Sequence, residues 1–397
     1  MRYGDWQHVR SVLVVRTDAV RDVIMLGPAL RALKGALPHA TVTLLASSAG
    51  AEVAPLLPWV DEVIRADAVW EDNGGEPSPG PGPGVDLEAE PKIDVEAQVD
   101  LIEAIEGCRA DAAFVFTDYR TTPWPAAYLC YLAGVPIRIG QSKELGGALL
   151  TRWVRPQPDR LHSVDRNLFL LEQAGLPVAG RQLELHVPDP ARASTAELLH
   201  GLGVPPGEPF VVLAPGTGPA ARFDPVAEYA ELAEALAGRL GLPIVLVGGR
   251  ADVGLGNGVV AAAPDAGVVS VAGQTSVAEL AAVVERAEVI VTDDADTMFV
   301  GDAFRCPMVV LVDGPDLEAR TRPRGAAISV LHASTAADVI ADEAVALVER
   351  TPRRIGPLPP GALTARPGPA RRPGRRSSRP LDQDVIPPGR VAPGMTG

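Results

Sequence analysis

The chain has 397 residues, of which 47% are hydrophobic and 22% charged, a globular balance that excludes a wholly disordered protein. The formal net charge of −14 argues against a nucleic-acid partner bound through phosphate neutralisation. Three widely spaced cysteines, Cys108, Cys130 and Cys306, argue against a disulfide framework or a zinc site. The length is sufficient for two domains, and the abundance of Ala, Gly, Pro and Arg is typical of a GC-rich bacterial genome.

The first half of the chain alternates short β-branched runs with longer helical stretches. Strands are predicted at 11–15, 41–46, 63–64, 112–117 and 137–139, and helices at 20–37, 50–57 and 123–133. Repeated strand–helix–strand units are typical of a parallel sheet that carries helices on both faces.

The same alternation restarts after Pro188 and Pro190. Strands are predicted at 210–214, 243–247, 268–271, 288–292 and 308–312, and helices at 194–202, 226–240 and 276–287. Ser194 and Ser276 each begin an S-x-x-E sequence, the spacing of a helix capping box. We therefore predict an α/β protein of two Rossmann-like, doubly wound domains, residues 1–185 and 193–350, that face a central cleft.

Two segments fall outside this pattern. Residues 70–99 contain the sequence P-S-P-G-P-G-P-G and are predicted to form an insertion loop without regular structure. Residues 351–397 contain 11 prolines and nine arginines, which predicts a disordered basic tail. Such a tail can touch the anionic inner face of a membrane, although it is more often simply solvated. The sequence has no signal-peptide pattern and no apolar run long enough to span a bilayer, so we expect a soluble cytoplasmic protein.

Ligands of open α/β sheets bind beyond the carboxyl ends of the strands, where this sequence has four loops: 16–22, 214–222, 248–252 and 292–298. In the first loop, Asp18 and Asp22 can act as a general base or orient a sugar hydroxyl. The same carboxylates can equally serve only to cap the following helix.

The second loop, Pro215-Gly-Thr-Gly-Pro219, has small residues that let backbone N–H groups approach a phosphate, with Arg222 as the nearest cation. It lacks the spacing of a P-loop. In the third loop, Asp252 follows a strand directly and can accept a hydrogen bond from a ribose hydroxyl.

The fourth loop carries three carboxylates within four residues, Asp293, Asp294 and Asp296. Such a cluster can bind Mg²⁺ through oxygen ligands, or it can form an acidic, solvated turn. His162 precedes a predicted helix and can either line the interdomain cleft or serve a structural role.

Five segments occur in an order that resembles glycosyltransferase family 9, the ADP-heptose:lipopolysaccharide heptosyltransferases and their relatives. The resemblance spans about residues 11–348, apart from the Pro/Gly insertion. The segments are Val12–Ile64, His162-Ser-Val-Asp-Arg-Asn-Leu, Ala214-Pro-Gly-Thr, Leu246-Val-Gly-Gly-Arg-Ala-Asp and Gly273-Gln-Thr-Ser-Val-Ala-Glu-Leu.

This resemblance implies a GT-B fold and an inverting transfer from a nucleotide-sugar donor, with an ADP-linked donor favoured, to a glycan or glycolipid hydroxyl. It implies that Asp22 is the general base and that no cofactor is needed. We predict that Arg16, Thr17 and Asp18 bind the acceptor. The predicted donor-binding residues are Gly216, Thr217, Arg222, Asp252, Asp294, Ala295, Asp296 and Thr297.

Four positions depart from the family pattern. Arg21 replaces the glycine before the catalytic aspartate, and Ala221 aligns with the phosphate-binding lysine. In the N-D-[ST]-G-P-M-H motif, Asp296 replaces the glycine and Phe299 the histidine. An added carboxylate beside a diphosphate is unfavourable unless a cation intervenes, so Mg²⁺ held by Asp294 or Asp296 is an open alternative. A catalytically degenerate GT-B scaffold that acts as a binding or assembly partner is the second functional hypothesis, and a sugar-nucleotide epimerase the third.

Overall fold

The computed structural model describes residues 6–66, 95–144, 147–158, 160–216, 225–313, 317 and 319–351. The chain divides into a compact unit, residues 1–363, and a second unit, residues 364–397. The second unit lies outside the described residues, as do residues 352–397 of the predicted tail and residues 70–94 of the predicted insertion loop. Within the described ranges, no helix is long and apolar enough to cross a membrane.

A parallel six-stranded sheet forms the centre of the first half. Its strands are β1 (Ser11–Arg16), β2 (Thr41–Ala46), β3 (Glu62–Arg65), β4 (Ala112–Val115), β5 (Ile137–Gln141) and β6 (Arg152–Val154). Their order is β3-β2-β1-β4-β5-β6, with Val12 of β1 paired to Val42 on one side and Ala112 on the other. The strand order reverses between β1 and β4, so the crevice that favours ligands lies beyond the carboxyl ends of these two strands.

Five helices accompany this sheet in sequence. They are α1 (Val20–Ala36), α2 (Ser48–Ala51), α3 (Val95–Gly107), α4 (Trp124–Leu132) and α5 (Ser163–Gln173).

Two predictions for this half were wrong in part. The predicted loop 70–99 ends too late, because α3 begins at Val95 and buries Leu101 and Ile105 on one face. The predicted helix 50–57 is instead a single turn, α2, followed by a 3-10 turn at Ala54–Leu56 that contains Pro55. Proline lacks the N–H group that a continuous helix would need at this position.

The second half repeats the same sheet topology. Its strands are β7 (Val211–Ala214), β8 (Ile244–Leu246), β9 (Val268–Ser270), β10 (Val289–Thr292), β11 (Met308–Val312) and β12 (Ile328–His332). All pairs are parallel and the order is β12-β11-β10-β7-β8-β9, which places the reversal between β7 and β10. The sequence prediction ended this sheet at residue 312 and missed β12, an edge strand whose residues are only partly buried. The two sheets confirm the predicted α/β class.

The helices of the second half are α6 (Asp189–Gly201), α7 (Pro225–Leu240), α8 (Val253–Ala262), α9 (Val277–Arg286), α10 (Ala295–Ala303) and α11 (Ala337–Arg350). The predicted start of α6 at Ser194 was wrong, because the helix begins at Asp189 with Pro190 in its first turn. Proline is compatible with that turn, since the first N–H groups of a helix have no partner within the helix. The second predicted capping box is confirmed, with Ser276 Oγ accepting a hydrogen bond from the Glu279 N–H group.

The two S-x-x-E sequences therefore provide a matched pair for measuring the cap. We expect Ser276→Ala to lower the free energy of unfolding by about 1 kcal/mol, because it removes an acceptor from the first turn of α9. Ser194 lies within α6, and its Oγ donates an exposed hydrogen bond to Glu279 Oε1 at 2.7 Å. Ser194→Ala therefore leaves the Ser276 acceptor of the cap in place and is expected to change the free energy of unfolding by no more than about 0.5 kcal/mol. Urea unfolding of both variants checks this, and equal losses would contradict the assignment of the cap.

One continuous cluster of buried apolar side chains links the two sheets. It includes Val14 of β1, Phe114 of β4, Val212 of β7, Ile290 of β10 and Phe299 of α10. Helix α1 packs against α5 and also against α10 of the second half. The first turns of α1 and α10, which follow β1 and β10, are thereby brought together at the cleft.

Candidate active site

Arg16 is a buried cation that pairs with two aspartates of the first loop. It ends β1 and is 1% exposed, with Nε 2.6 Å from Asp18 Oδ2 and Nη2 2.9 Å from Asp22 Oδ1. Burial opposes the charged form, but the carboxylates of Asp18 and Asp22 raise the pKa of the Arg16 guanidinium above its usual value. The buried cation therefore fixes the orientation of both carboxylates.

Asp22, the predicted base, is the third residue of α1, and its side chain is 12% exposed. Arg21, which stands where the family has glycine, is 44% exposed, with Nε 3.9 Å from Asp22 Oδ2. Of the predicted acceptor-binding residues, Arg16 and Thr17 are buried, at 1% and 5% exposure, whereas Asp18 is partly exposed. This burial gives Arg16 a positioning role toward the carboxylates of Asp18 and Asp22.

The predicted phosphate loop is described only as far as Gly216, so Thr217, Ala221 and Arg222 lie outside the described residues. The Gly216 N–H group donates to Asp293 Oδ1 at 2.6 Å, and Tyr229 Oη donates to Asp293 Oδ2 at 2.7 Å. A Cβ atom at position 216 would lie 2.6 Å from the carbonyl oxygen of Asp293, so only glycine fits there. The Asp293 side chain therefore links the loop after β7 to the loop after β10. It also accepts the hydrogen bond of the Gly216 N–H group, which was predicted to bind a phosphate.

The other two carboxylates of the acidic turn point to different partners. Asp294 caps α10, with Oδ2 accepting the Thr297 N–H group at 2.7 Å. Asp296 Oδ1 accepts the N–H group of Arg21, across the cleft, at 3.0 Å. Burial, followed by the charge of Asp294, raises the pKa of Asp296 to about 6. In the described part of the chain, no group of three or more His, Cys, Asp or Glu side chains is placed to hold a metal ion.

A cavity of about 200 Å³ lies at the first turn of α10. It brings together four of the predicted donor-binding residues, Asp252, Asp294, Asp296 and Thr297, and also includes Val20 of α1. Asp252 Oδ2 accepts the Gly249 N–H group at 2.7 Å, so it shapes the turn that follows β8. Gly216 and Ala295 are not among the residues that line this cavity.

Phe299 and His162 both have structural roles. Phe299 is 1% exposed in the shared core, so it is a packing residue. His162 caps α5 through Nδ1, which accepts the Val164 N–H group at 3.2 Å, and its Nε2 lies 3.1 Å from the carbonyl oxygen of Arg322 in the second half. Burial and Arg324 lower the pKa of His162, which keeps the ring neutral with its proton on Nε2.

Residues 320–324 make further contacts with the first half that sequence reasoning missed. The Arg320 guanidinium stacks 3.6 Å from the centre of the Tyr119 ring, and Arg324 Nη1 lies 2.8 Å from Asp165 Oδ2. Despite its burial, Asp165 has a lowered pKa because Arg324 and Arg181 both bond to it. The partners are more than 150 residues apart, and the sequence signal is the alternation of arginines at Arg320, Arg322 and Arg324.

Two similar α/β halves, each built on a parallel six-stranded sheet, meet at a cavity whose lining includes residues of both. Residues 99–339 match the model of glycosyltransferase family 9 (heptosyltransferase), which is more than half of the chain. The chain belongs to this family and is a glycosyltransferase. This match confirms the family resemblance and contains four of the five sequence segments, whereas the first, Val12–Ile64, lies outside the matched residues.

Individual relatives are similar over nearly their whole length. Lipopolysaccharide heptosyltransferase 2 of Salmonella typhimurium is 24% identical over 364 residues, which are 87% of this chain and 96% of that protein. The structure of E. coli ADP-heptose lps heptosyltransferase II matches with a TM-score of 0.67 and 22% identity, over 86% of this chain and 99% of that one. A family 9 structure from Veillonella parvula gives 0.68 and 20%, over 88% and 98%. These matches confirm the GT-B fold.

Proposed function

We propose that the protein transfers heptose or a related sugar from an ADP-linked donor to a hydroxyl group of a glycan or glycolipid, with inversion at the anomeric carbon. The observation that supports this proposal is the contact between the first turn of α1, which carries Asp22, and the first turn of α10, which lines the cavity. The two helices are joined there by the Arg21–Asp296 hydrogen bond of 3.0 Å. The named relatives, which include an ADP-heptose lipopolysaccharide heptosyltransferase, support the donor and acceptor classes.

Asp22 acts as the general base in this proposal. Its carboxylate takes the proton of the acceptor hydroxyl, whose oxygen forms a bond to the anomeric carbon while the bond to the diphosphate oxygen breaks. The electron pair of the broken bond leaves with ADP. Arg16 holds Asp22 Oδ1 at 2.9 Å, which fixes the carboxylate before the acceptor arrives. A positioned base contributes about 10²–10⁴-fold to such a rate.

The donor diphosphate is placed at the first turn of α10. The free N–H groups and the partial positive charge of a helix N-terminus stabilise phosphate oxygens and the charge that develops on the leaving group. Asp252 and Thr297 line the same cavity. Arg222 and Thr217 stay predicted contributors from the loop outside the described residues.

We further propose that transfer needs no metal ion. Asp293, Asp294 and Asp296 each accept an N–H group in a different direction, so they are not arranged as a common set of ligands. Excess EDTA is therefore expected to leave the transfer rate unchanged within about twofold. A loss of activity that Mg²⁺ restores would instead support the alternative in which the cation bridges Asp294 or Asp296 to the diphosphate.

Calorimetric titration of the full chain with ADP, UDP and GDP, with and without Mg²⁺, tests the donor class. We expect binding of ADP in the micromolar range and weaker binding of the other two nucleotides. Tight binding of UDP or GDP would change the donor assignment. Failure to bind any of the three would favour the non-catalytic scaffold. Release of ADP from ADP-heptose in the presence of candidate acceptors then identifies the acceptor.

A further inference from the structure

Two helix N-termini meet across the cleft. The N-cap residue of α1 is Ala19, whose side chain cannot accept a hydrogen bond from the first turn. The N-cap residue of α10 is Asp294, which satisfies the Thr297 N–H group. Both helices carry a partial positive charge at these ends.

The Asp296 side chain lies where the two ends meet. It is the second residue of α10, and its Oδ1 accepts the N–H group of Arg21, the second residue of α1, at 3.0 Å. The second half of the protein thus supplies the cap that Ala19 cannot. Asp296 also lines the cavity beside Asp252 and Thr297. One carboxyl group therefore contacts the helix that carries the proposed base and the space assigned to the diphosphate.

The charges around Asp296 come from three elements. Asp294 is the N-cap residue of α10, the helix that contains Asp296. Arg21 and Asp22 lie on α1, and Asp252 lines the cavity from the turn after β8. Burial and then Asp294 raise the pKa of Asp296 to about 6, whereas Arg21 and its N–H group act in the opposite direction. A diphosphate in the cavity adds negative charge at close range, which favours the neutral acid still further.

We propose that the donor site is coupled to a proton on Asp296: the nucleotide sugar binds to the protein with Asp296 protonated. The neutral carboxyl donates a hydrogen bond to the diphosphate through Oδ2, while Oδ1 continues to accept the Arg21 N–H group. Binding near neutral pH takes one proton from solvent, and the proton returns to solvent when the nucleotide leaves. The inference rests on the proposed function, because it requires that the cavity hold the diphosphate.

This coupling explains how an aspartate can function at position 296, where the family has glycine. A charged carboxylate would repel the donor, but a protonated one supplies a hydrogen bond. The affinity for the nucleotide sugar then falls as the pH rises above the pKa of Asp296, by up to about tenfold per pH unit for one linked proton.

The test is calorimetric titration of the full chain with ADP-2-deoxy-2-fluoro heptose, the ligand named with one E. coli heptosyltransferase structure. Its diphosphate is esterified at both ends and does not titrate between pH 6 and 8. Titrations at pH 6, 7 and 8, each in two buffers of different ionisation enthalpy, count the protons taken up. We expect uptake close to one proton at pH 7.5 and an affinity several-fold weaker at pH 8 than at pH 7.

Asp296→Asn is the matched variant, because the amide keeps an oxygen for the Arg21 N–H group and donates a hydrogen bond at every pH. We expect it to bind without proton uptake and with an affinity independent of pH. Asp296→Gly, which restores the family residue, provides a second variant without the titrating group and should show the same loss of pH dependence. Asp265→Asn, at an exposed turn before β9, should keep the wild-type behaviour.

If the wild type binds with an affinity independent of pH, or if the pH dependence persists in Asp296→Asn, the proton coupling is wrong. Neither outcome contradicts the proposed function. If neither the wild type nor the two Asp296 variants bind the nucleotide sugar at any pH, the donor site itself is wrong and the proposed function fails with it. The two failures are therefore distinguishable.

Discussion

Asp22→Asn is expected to lower sugar transfer by about 10²–10⁴-fold, because the amide cannot take the proton of the acceptor hydroxyl. The affinity for ADP should stay within a few-fold of the wild type, since the donor cavity is lined mainly by the second half. The amide oxygen can still accept the hydrogen bond that Arg16 Nη2 gives to Asp22 Oδ1 at 2.9 Å. The fold should therefore survive, and a steady-state rate together with an ADP titration measures the effect.

The control for this variant is Glu103→Gln on the exposed side of α3, which removes one carboxylate from the same half, away from the cleft. It should retain the wild-type rate. Wild-type turnover by Asp22→Asn would remove Asp22 from the role of base. A parallel loss of ADP affinity would show that the substitution disturbs the cleft, and would likewise argue against a purely catalytic role.

Arg16→Met should lower the free energy of unfolding by about 3–5 kcal/mol, the cost of leaving buried charges without their partner. Arg16 is 1% exposed, and the carboxylates of Asp18 and Asp22 are each 12% exposed. Removing the guanidinium leaves two negative charges close together with little access to water. Urea unfolding at pH 7 measures the loss.

Arg181→Met is the matched control, because Arg181 also pairs with a carboxylate, Asp165, but is itself 61% exposed. Its loss should cost no more than about 1 kcal/mol. Combining Arg16→Met with Asp22→Asn should recover part of the lost free energy of unfolding, because it removes one of the two buried carboxylates that have lost their cation. Equal losses for Arg16→Met and Arg181→Met would contradict the organising role of Arg16.

The strands of both sheets were largely predictable from the sequence. The predicted bounds of β2 and β11, Thr41–Ala46 and Met308–Val312, agree with the structure. Strands of a parallel sheet are covered on both faces, so they form unbroken aliphatic runs that end at turn residues. The fold class followed from the regular alternation of these runs with helices.

One helix with an unusual composition was hard to predict. The sequence analysis assigned no helix to α8, which contains three glycines in ten residues. Glycine lowers helix propensity, but a Cβ atom at Gly256 would lie 2.3 Å from Ser270 Oγ. The close packing of α8 against β9 therefore requires glycine at position 256, although glycine disfavours a helix. This requirement comes from a contact in the folded structure, so the local sequence does not reveal it.

The loops of the candidate site were predictable, but the directions of their side chains were not. The sequence places Asp293, Asp294 and Asp296 within four residues. In the structure they accept hydrogen bonds from three different N–H groups, those of Gly216, Thr297 and Arg21 respectively. Those directions depend on where α10 begins and on its packing against α1. Neither is encoded in the local spacing of the carboxylates.

The cluster of apolar side chains that links the two sheets has a consequence for how the protein opens. Val14 of the first sheet and Ile290 of the second belong to the same buried cluster, so neither half can expose its inner face alone without losing packing from the other. Segments that share a core open together in native-state hydrogen exchange. Amide protons of β1 and β10 should therefore exchange through one common opening, as parts of a single cooperative unit.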